Sequence, residues 1–132
     1  MAPDPLQFED AARWLRIARS DLHAAEVLTR GGAYAEALFH CQHAAEKALK
    51  GLLTRYGKPF RKTHDLSDLS ADCLEIDPSL DSLLTKAERL TQYAWRFRYP
   101  GAPFEPEAAD AAEAHQDAGA LLDRLETMVS VR

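Results

Sequence analysis

Apolar residues recur three or four positions apart along most of the chain, which is the spacing of one face of an α-helix. The first such stripe runs from Phe8 to Leu28. It is preceded by Asp4-Pro5, which predicts a helix start because Asp caps free backbone N–H groups and Pro is tolerated at the first helical position. Gly31-Gly32 follows the stripe and predicts the end of this helix.

The same pattern predicts four more helices, separated by residues that favour turns. Their expected bounds are about residues 33–56, the stretch HDLSDLSADCLEI with Thr63 as its cap, about residues 77–97, and about residues 106–129. No segment alternates apolar and polar residues as a half-buried strand does. We therefore expect an all-α fold in one domain over residues 1–132, an up-down four-helix bundle with an additional short helix, five helices in all.

The composition fits such a domain and excludes a membrane-spanning one. The chain has 132 residues and a net charge of −5. It contains no run of 18 apolar residues, so no transmembrane helix is expected. The N-terminus is acidic and has no apolar signal segment, which predicts a cytoplasmic protein. Cys41 and Cys73 occupy apolar helical positions, and we expect both to be reduced core residues.

Basic residues are concentrated in one segment of this acidic chain. Between residues 47 and 62 there are six cations and no acid, which leaves 10 cations against 21 acids elsewhere. This asymmetry is typical of an anion-binding surface on an acidic body. It is equally typical of a helix end whose cations complement the helix dipole. Charge alone leaves both interpretations open.

The stretch FHCQHAAEKALKGLL places two histidines beside a cysteine. On a helical wheel Cys41 lies on the apolar face, whereas the histidines, Lys47 and Lys50 lie on the opposite side, which predicts an outer polar face. Glu46 and Lys50 form an i, i+4 ion pair there. Phe39, next to small residues on that side, indicates packing against another helix or another subunit. Because thiol and imidazoles face apart and no further ligands follow, neither Cys–His catalysis nor zinc is favoured, and no cofactor is predicted.

Three motifs, in this order, resemble those of the HEPN domain family: YAEALFHCQHAAEKALKGLL, THDLSDL and YAWRFRYPG. The resemblance covers about residues 8–129 and is closest to the stand-alone bacterial branch with QQAxEKxLKA and TRYP motifs. Here His43, Gly51 and Phe97 replace a Gln, an Ala and a Thr of those motifs. The resemblance implies a five-helix up-down bundle that usually forms a homodimer. It also implies a gene neighbour that encodes a minimal nucleotidyltransferase, and some such pairs act as toxin and antitoxin.

Many HEPN domains are metal-independent ribonucleases with an Arg, four to six residues and then a His, late in the fold. The His transfers protons and the Arg stabilises charge on the phosphorane. After Arg96 and Arg98 no His stands at that distance. Arg16 and His23 have the spacing but lie on the first predicted helix, and we treat this as coincidence. The catalytic candidates left for a non-standard site are His43, His64, Arg96 and Arg98.

In an up-down bundle the ends of the second and fourth helices lie at the same pole, so we expect their cations to meet there. Phosphate of a nucleotide or RNA is a natural ligand for such a patch. The alternative is that Arg98 and Tyr99 anchor the loop and that Glu46 pairs with an Arg of the fourth helix. The candidate nucleotide- or phosphate-binding residues are Lys47, Lys50, Arg61, Lys62, His64, Arg96, Arg98 and Tyr99.

Three functions are consistent with the sequence. The first is a HEPN binding module that forms a homodimer and binds a nucleotide, RNA or a nucleotidyltransferase partner. The second is a ribonuclease toxin that uses a non-standard Arg/His site. The third is a purely structural helical dimer whose basic pole only complements helix dipoles.

Overall fold

A computed structural model of the chain describes residues 5–60, 62–63, 65–94 and 105–130. This part is all-α, as predicted, and contains no strand. Two 3₁₀ segments, Pro78–Leu80 and Arg89–Ala94, flank the fourth α-helix. The α-helices of the described residues are α1 (Pro5–Arg30), α2 (Tyr34–Arg55), α3 (Leu66–Ile76), α4 (Asp81–Glu88) and α5 (Ala108–Ser130).

Glycine follows the ends of both long N-terminal helices, as the sequence predicted. Gly32 has φ 81° and Gly57 has φ 67°, a left-handed conformation that only glycine adopts without strain. After Gly57 the N–H of Lys58 donates to the carbonyl of Leu53 at 2.9 Å. Such closure satisfies carbonyl groups that a helix end leaves unpaired. The predicted ends of α1 and α2 are therefore confirmed to within a residue.

The middle of the chain differs in detail from the sequence prediction. Asp65, not Thr63, caps α3, because its carboxylate accepts the N–H of Ser67 at 2.9 Å. Asp77 caps the next turn as predicted, but α4 itself has only 8 residues because 3₁₀ turns replace the α-helix on both sides. The predicted extension of this helix to Phe97 lies outside the described residues.

The second helix, α2, is central to the bundle. It packs against α1, α5, α3 and the 3₁₀ segment Arg89–Ala94. Helices α1 and α5 also contact each other, and Arg19 joins them by donating to Asp123 at 2.7 Å and to Glu126. Leucines from all five α-helices and from both 3₁₀ segments fill the interior. The most enclosed of these are Leu38, Leu49, Leu52, Leu53, Leu66, Leu69, Leu80, Leu90, Leu121, Leu122 and Leu125.

The predicted apolar stripes of the first and last helices are confirmed at most positions and differ from the structure at single residues. In α1, Ala11 is buried whereas Phe8 is only partly so. In α5, Ala108 and Ala112 were predicted to face the core but are exposed, whereas Ala111 is buried as predicted and Ala114 joins it in the core. Alanine marks a helix face weakly because it is small and is tolerated on either side of a helix. The long leucines, which gain more from burial, locate the core more reliably.

The polar side of α2 is not an outer face, which corrects the helical-wheel prediction. No residue between 37 and 55 is exposed, and Glu46 is 4% exposed. Helix α1 lies across this side. A Cβ placed on Gly51 would stand 2.9 Å from Leu15 Cδ2 and 3.3 Å from the carbonyl oxygen of Ala11. Gly51 thus permits the close approach of α1, and another helix of the same chain covers this side of α2.

Both thiols are buried, as predicted. Cys41 and Cys73 are 0% exposed, and burial raises the pKa of each thiol to about 12. Because the thiolate is the reactive form, we expect Ellman's reagent at about pH 8 to modify neither cysteine in the folded protein and both in guanidinium. Rapid colour release from the folded protein would contradict this placement.

Candidate functional site

A carboxylate on α1 binds two of the polar side chains of α2. Asp21 Oδ1 lies 3.0 Å from His40 Nδ1, and Asp21 Oδ2 accepts a hydrogen bond from Lys47 Nζ at 2.6 Å. The side chain of Asp21 is only 14% exposed. A carboxylate in such a place is stable because its partners compensate the lost hydration. Lys47 therefore helps to join α1 to α2.

Lys50 is engaged in the same way about one turn further along α2. Its Nζ donates to Glu46 Oε2 at 3.1 Å, which confirms the predicted i, i+4 pair. Gln42 Nε2 donates to Oε1 of the same carboxylate at 3.3 Å. The Lys50 ammonium also lies 5.8 Å from the ring centroid of Trp14 and 5.7 Å from that of Phe60, within the range of cation–π contacts.

These contacts correct the prediction that Lys47 and Lys50 stand on an exposed side. Their side chains are 23% and 13% exposed. The wheel placed them outside because it takes a polar stripe to face solvent, whereas α1 supplies Asp21 and Trp14 as their partners. A phosphate-binding role for the two lysines stays a prediction. It requires each ammonium to bind a phosphate while it still binds its carboxylate partner.

Of the remaining predicted site residues, only His43 and Lys62 lie within the described part of the chain. His43 is half-buried, and its ring centroid lies 4.2 Å from that of Phe39. Lys62 is exposed. Five predicted residues lie outside the described residues, namely Arg61, His64, Arg96, Arg98 and Tyr99.

The C-terminal end of α2 is basic, and part of its charge is already balanced. The guanidinium of Arg55 lies 5.6 Å from the ring centroid of Phe8, at the beginning of α1. Lys58 Nζ donates to Glu75 Oε2 at 2.8 Å, and this contact holds the pKa of the Glu75 carboxyl below its usual range. Lys62 follows at the surface. Positive charge is thus present where α2 ends, and Arg55 lies beside the beginning of α1.

A groove of about 360 Å³ opens at this end of the bundle, between α1 and the last turns of α2. It is lined by Asp10, Arg13, Trp14 and Ile17 from α1 and by Thr54 from α2. The Arg13 side chain is 66% exposed and lies 3.9 Å from the carboxylate of Asp10. The groove is shallow and largely open to solvent, so a ligand would lie on it with one side exposed.

The groove combines three chemical groups that suit a nucleotide. The indole of Trp14 offers a surface on which any of the nucleobases can stack. The guanidinium of Arg13 matches the geometry of phosphate oxygens. The carboxylate of Asp10 accepts hydrogen bonds from ribose hydroxyl or base amino groups. The ammonium of Lys50, 5.8 Å from the centroid of the Trp14 ring, adds positive charge near this aromatic side chain.

Sequence reasoning missed this groove. Its shape depends on how closely α1 crosses α2, and the Cβ of Trp14 lies only 3.2 Å from where a Cβ on Gly51 would stand. The crossing is a tertiary feature that no single helical wheel contains. One signal in the sequence could have indicated the groove. Trp14 is a large aromatic residue next to Arg13, and yet it lies outside the apolar stripe of the first helix.

The described residues hold neither a candidate membrane span nor a candidate metal cluster. No helix in the described ranges is both long and apolar enough to cross a membrane. Over those same ranges, no three His, Cys, Asp or Glu side chains converge as a metal site requires.

This chain is similar to a known protein family and to proteins of known structure. A sequence profile described as the HEPN domain matches residues 11–128. TT1696 from Thermus thermophilus, known from a crystal structure, is 35% identical with a TM-score of 0.78, over 89% of this chain and 96% of that one. The crystal structure of ST0689, an archaeal HEPN homologue, is 31% identical with a TM-score of 0.74, over 91% and 98%. No curated protein matches the chain.

The helix order and the central α2 define a small all-helical bundle domain. The profile match spans most of the chain, and both crystal structures share its fold at more than 30% identity. The chain belongs to the HEPN domain family, which confirms the membership that the sequence predicted.

Proposed function

We propose that this HEPN protein is a homodimeric binding module for a nucleotide or a short RNA, and that it acts with a minimal nucleotidyltransferase in a toxin–antitoxin type of pair. The binding site is the α1–α2 groove together with the basic end of α2. One observation carries the proposal: the Trp14 ring lines a concave groove beside the exposed guanidinium of Arg13. The groove lies at the end of the bundle from which the acid-free basic run continues.

In this proposal the base stacks on Trp14 and the ribose reaches the carboxylate of Asp10. Arg13 binds the first phosphate. Longer phosphate chains or further nucleotides extend towards the basic end, where cations release counterions from the ligand and so make binding salt-dependent. The residues that supply these further contacts are the ones predicted from the sequence, Arg61, Lys62, His64, Arg96, Arg98 and Tyr99.

Lys47 and Lys50 have a supporting role in this scheme. Each balances a carboxylate between helices, Asp21 for Lys47 and Glu46 for Lys50. Lys50 also fixes one side of the Trp14 ring, so that the ring presents a defined surface to the groove. The two lysines keep the groove in shape and add long-range positive potential, while exposed cations make the direct contacts.

Calorimetric titration with ATP and with a short single-stranded RNA tests the proposal. Measured at about 50 and about 200 mM salt, the affinity should fall as salt rises. Trp14→Leu keeps apolar bulk beside Gly51 but removes the stacking surface, and should weaken binding by about 10-fold or more. Lys62→Ala should reduce the salt dependence. Arg30→Ala, an exposed cation at the far end of α1, is the matched control and should change nothing.

The outcomes separate the three functions. Absence of binding at both salt concentrations by a folded dimer would reject the binding module in favour of a structural one. Cleavage of the RNA in the same samples would favour the ribonuclease. Binding that is unaffected by Trp14→Leu would reject the groove as the site.

A further inference from the structure

The carboxylate of Asp10 gives the α1–α2 groove a chemical selectivity that the Trp14 ring cannot supply. Asp10 lines the groove and precedes Trp14 by four residues on α1. Side chains at this spacing are neighbours on the surface of a helix, with Cβ atoms about 5–6 Å apart. A nucleotide whose base lies against the Trp14 ring therefore has its sugar within reach of the Asp10 carboxylate.

Both oxygens of this carboxylate remain available to a ligand. Arg13 Nη1 lies 3.9 Å from Asp10 Oδ1, which is too long for a hydrogen bond, so the contact between them is electrostatic. The Asp10 side chain is 59% exposed. Because an ionised carboxylate accepts hydrogen bonds and donates none, the part of a ligand that meets Asp10 must be a donor.

The other polar groups of the groove have different roles. The Thr54 hydroxyl donates to the carbonyl oxygen of Lys50 at 2.8 Å, so its proton is already used. The guanidinium of Arg13 only donates hydrogen bonds and therefore suits phosphate oxygens. The Trp14 ring stacks on any base, and the shallow groove leaves the other face of that base exposed. Among the described residues of the groove, discrimination between ligands therefore falls to Asp10.

We propose that the groove selects ribonucleotides in which the 2′ and 3′ hydroxyls are both free, and that Asp10 is the residue that selects them. The inference rests on the proposed function and narrows its ligand to a free nucleoside 5′-phosphate of the ribose series. The two hydroxyls are neighbours on one face of the ribose, so both donate to the oxygens of a single carboxylate. Arg13 binds the 5′-phosphate, which leaves the sugar from its other face.

The same carboxylate disfavours two other classes of ligand. A 2′-deoxyribose has lost one of the two donors, so it makes one hydrogen bond to Asp10 instead of two. A phosphate on the 3′ oxygen removes a donor and also brings negative charge against Asp10 and the exposed Glu9 beside it. Nucleotides in the interior of an RNA or DNA strand carry such a phosphate, so the groove favours a free nucleotide over the interior of a strand.

Calorimetric titration with ATP and with 2′-deoxy-ATP measures the selection. The native chain should bind ATP more tightly by about 10-fold or more, because a hydrogen bond to a charged group is lost with the 2′ hydroxyl. Asp10→Ala should bring the two affinities together. The ratio of affinities is the quantity compared, since removal of a negative charge strengthens the binding of any phosphate. Glu9→Gln is the matched control, because Glu9 is an exposed acid outside the groove lining, and it should keep the ratio.

A second pair of ligands tests the effect of charge. AMP and adenosine 3′,5′-bisphosphate differ only in the 3′-phosphate. The native chain should prefer AMP at low salt, and the preference should shrink as salt screens the repulsion. Asp10→Asn keeps an acceptor oxygen but is neutral. It should therefore keep part of the preference for ATP over 2′-deoxy-ATP and lose the preference for AMP. Circular dichroism confirms that each variant is folded.

Each contrary result has a separate meaning. Equal affinities for ATP and 2′-deoxy-ATP, in a chain whose binding is weakened by Trp14→Leu, would overturn the selection of the ribose and leave the groove as the ligand site. A preference for ATP that survives Asp10→Ala would overturn Asp10 as the selecting residue. Tighter binding of the bisphosphate than of AMP by the native chain would overturn the preference for free nucleotides. Failure to bind any of the four nucleotides would overturn the proposed function and this inference together.

Discussion

Replacing Lys50 with methionine is expected to destabilise the protein by about 3 kcal/mol, although methionine has nearly the same length and helix propensity. The Glu46 side chain is 5% exposed and Lys50 is one of its partners, at 3.1 Å. Removing the ammonium leaves a carboxylate that has already lost its hydration, and it also removes the cation from the Trp14 and Phe60 rings. Urea unfolding followed by circular dichroism measures the loss.

The cause is isolated by a second substitution and by a matched pair. Glu46→Gln in the Lys50→Met background removes the buried charge but keeps the shape, and should recover much of the lost stability. Glu26 and Arg30 form an i, i+4 pair at the surface of α1. Arg30→Met breaks that pair and should leave the unfolding midpoint almost unchanged, because exposed pairs contribute little. Equal losses from Lys50→Met and Arg30→Met would show that Lys50 is no more structural than a surface cation.

Gly51→Ala is the second substitution with a large expected effect, a loss of about 1–2 kcal/mol. Alanine normally stabilises a helix relative to glycine by about 1 kcal/mol. Here the new methyl group would stand 3.2 Å from Trp14 Cβ and 3.3 Å from the carbonyl oxygen of Ala11. These atoms belong to or lie close to the α1 backbone, so α1 must move away, and overpacking of this kind outweighs the gain in propensity.

Gly119→Ala is the matched control, because Gly119 is also inside a helix. Its new methyl group would lie 3.6 Å from Leu22 Cδ2, an ordinary contact. This variant should therefore be more stable by about 0.5–1 kcal/mol. Thermal or urea unfolding of the two variants should thus give shifts of opposite sign. Stabilisation by Gly51→Ala would show that α1 and α2 are further apart than described.

Most of the fold was predictable because its elements end on local signals. Gly32 and Gly57 adopt conformations that other residues avoid, and Asp77 caps a turn with its own side chain. Each of these acts within a few residues of itself, so the sequence contains the whole cause. The 3₁₀ turns around α4 were not predicted, because the choice between 3₁₀ and α geometry is small in energy and depends on packing.

The candidate site was less predictable because its residues are paired across helices. A helical wheel of α2 cannot show that Asp21 of α1 accepts a hydrogen bond from Lys47. It therefore placed the polar side of α2 at the surface, although this side is buried against α1. Nor does it show that Gly51 brings Trp14 against Lys50 to form one wall of the groove. The i, i+4 pair of Glu46 and Lys50 was predicted because both partners lie on the same helix.

Nuclear magnetic resonance tests the central claim, that the α1–α2 groove is the ligand site, most directly. A ¹⁵N-labelled sample of this 14.7 kDa chain is titrated with ATP at low salt. We expect the largest amide shifts at Asp10, Arg13, Trp14, Ile17 and Thr54, with smaller ones through Lys62, and little change along α5. Large shifts confined to α5, or none at millimolar ATP, would contradict the account.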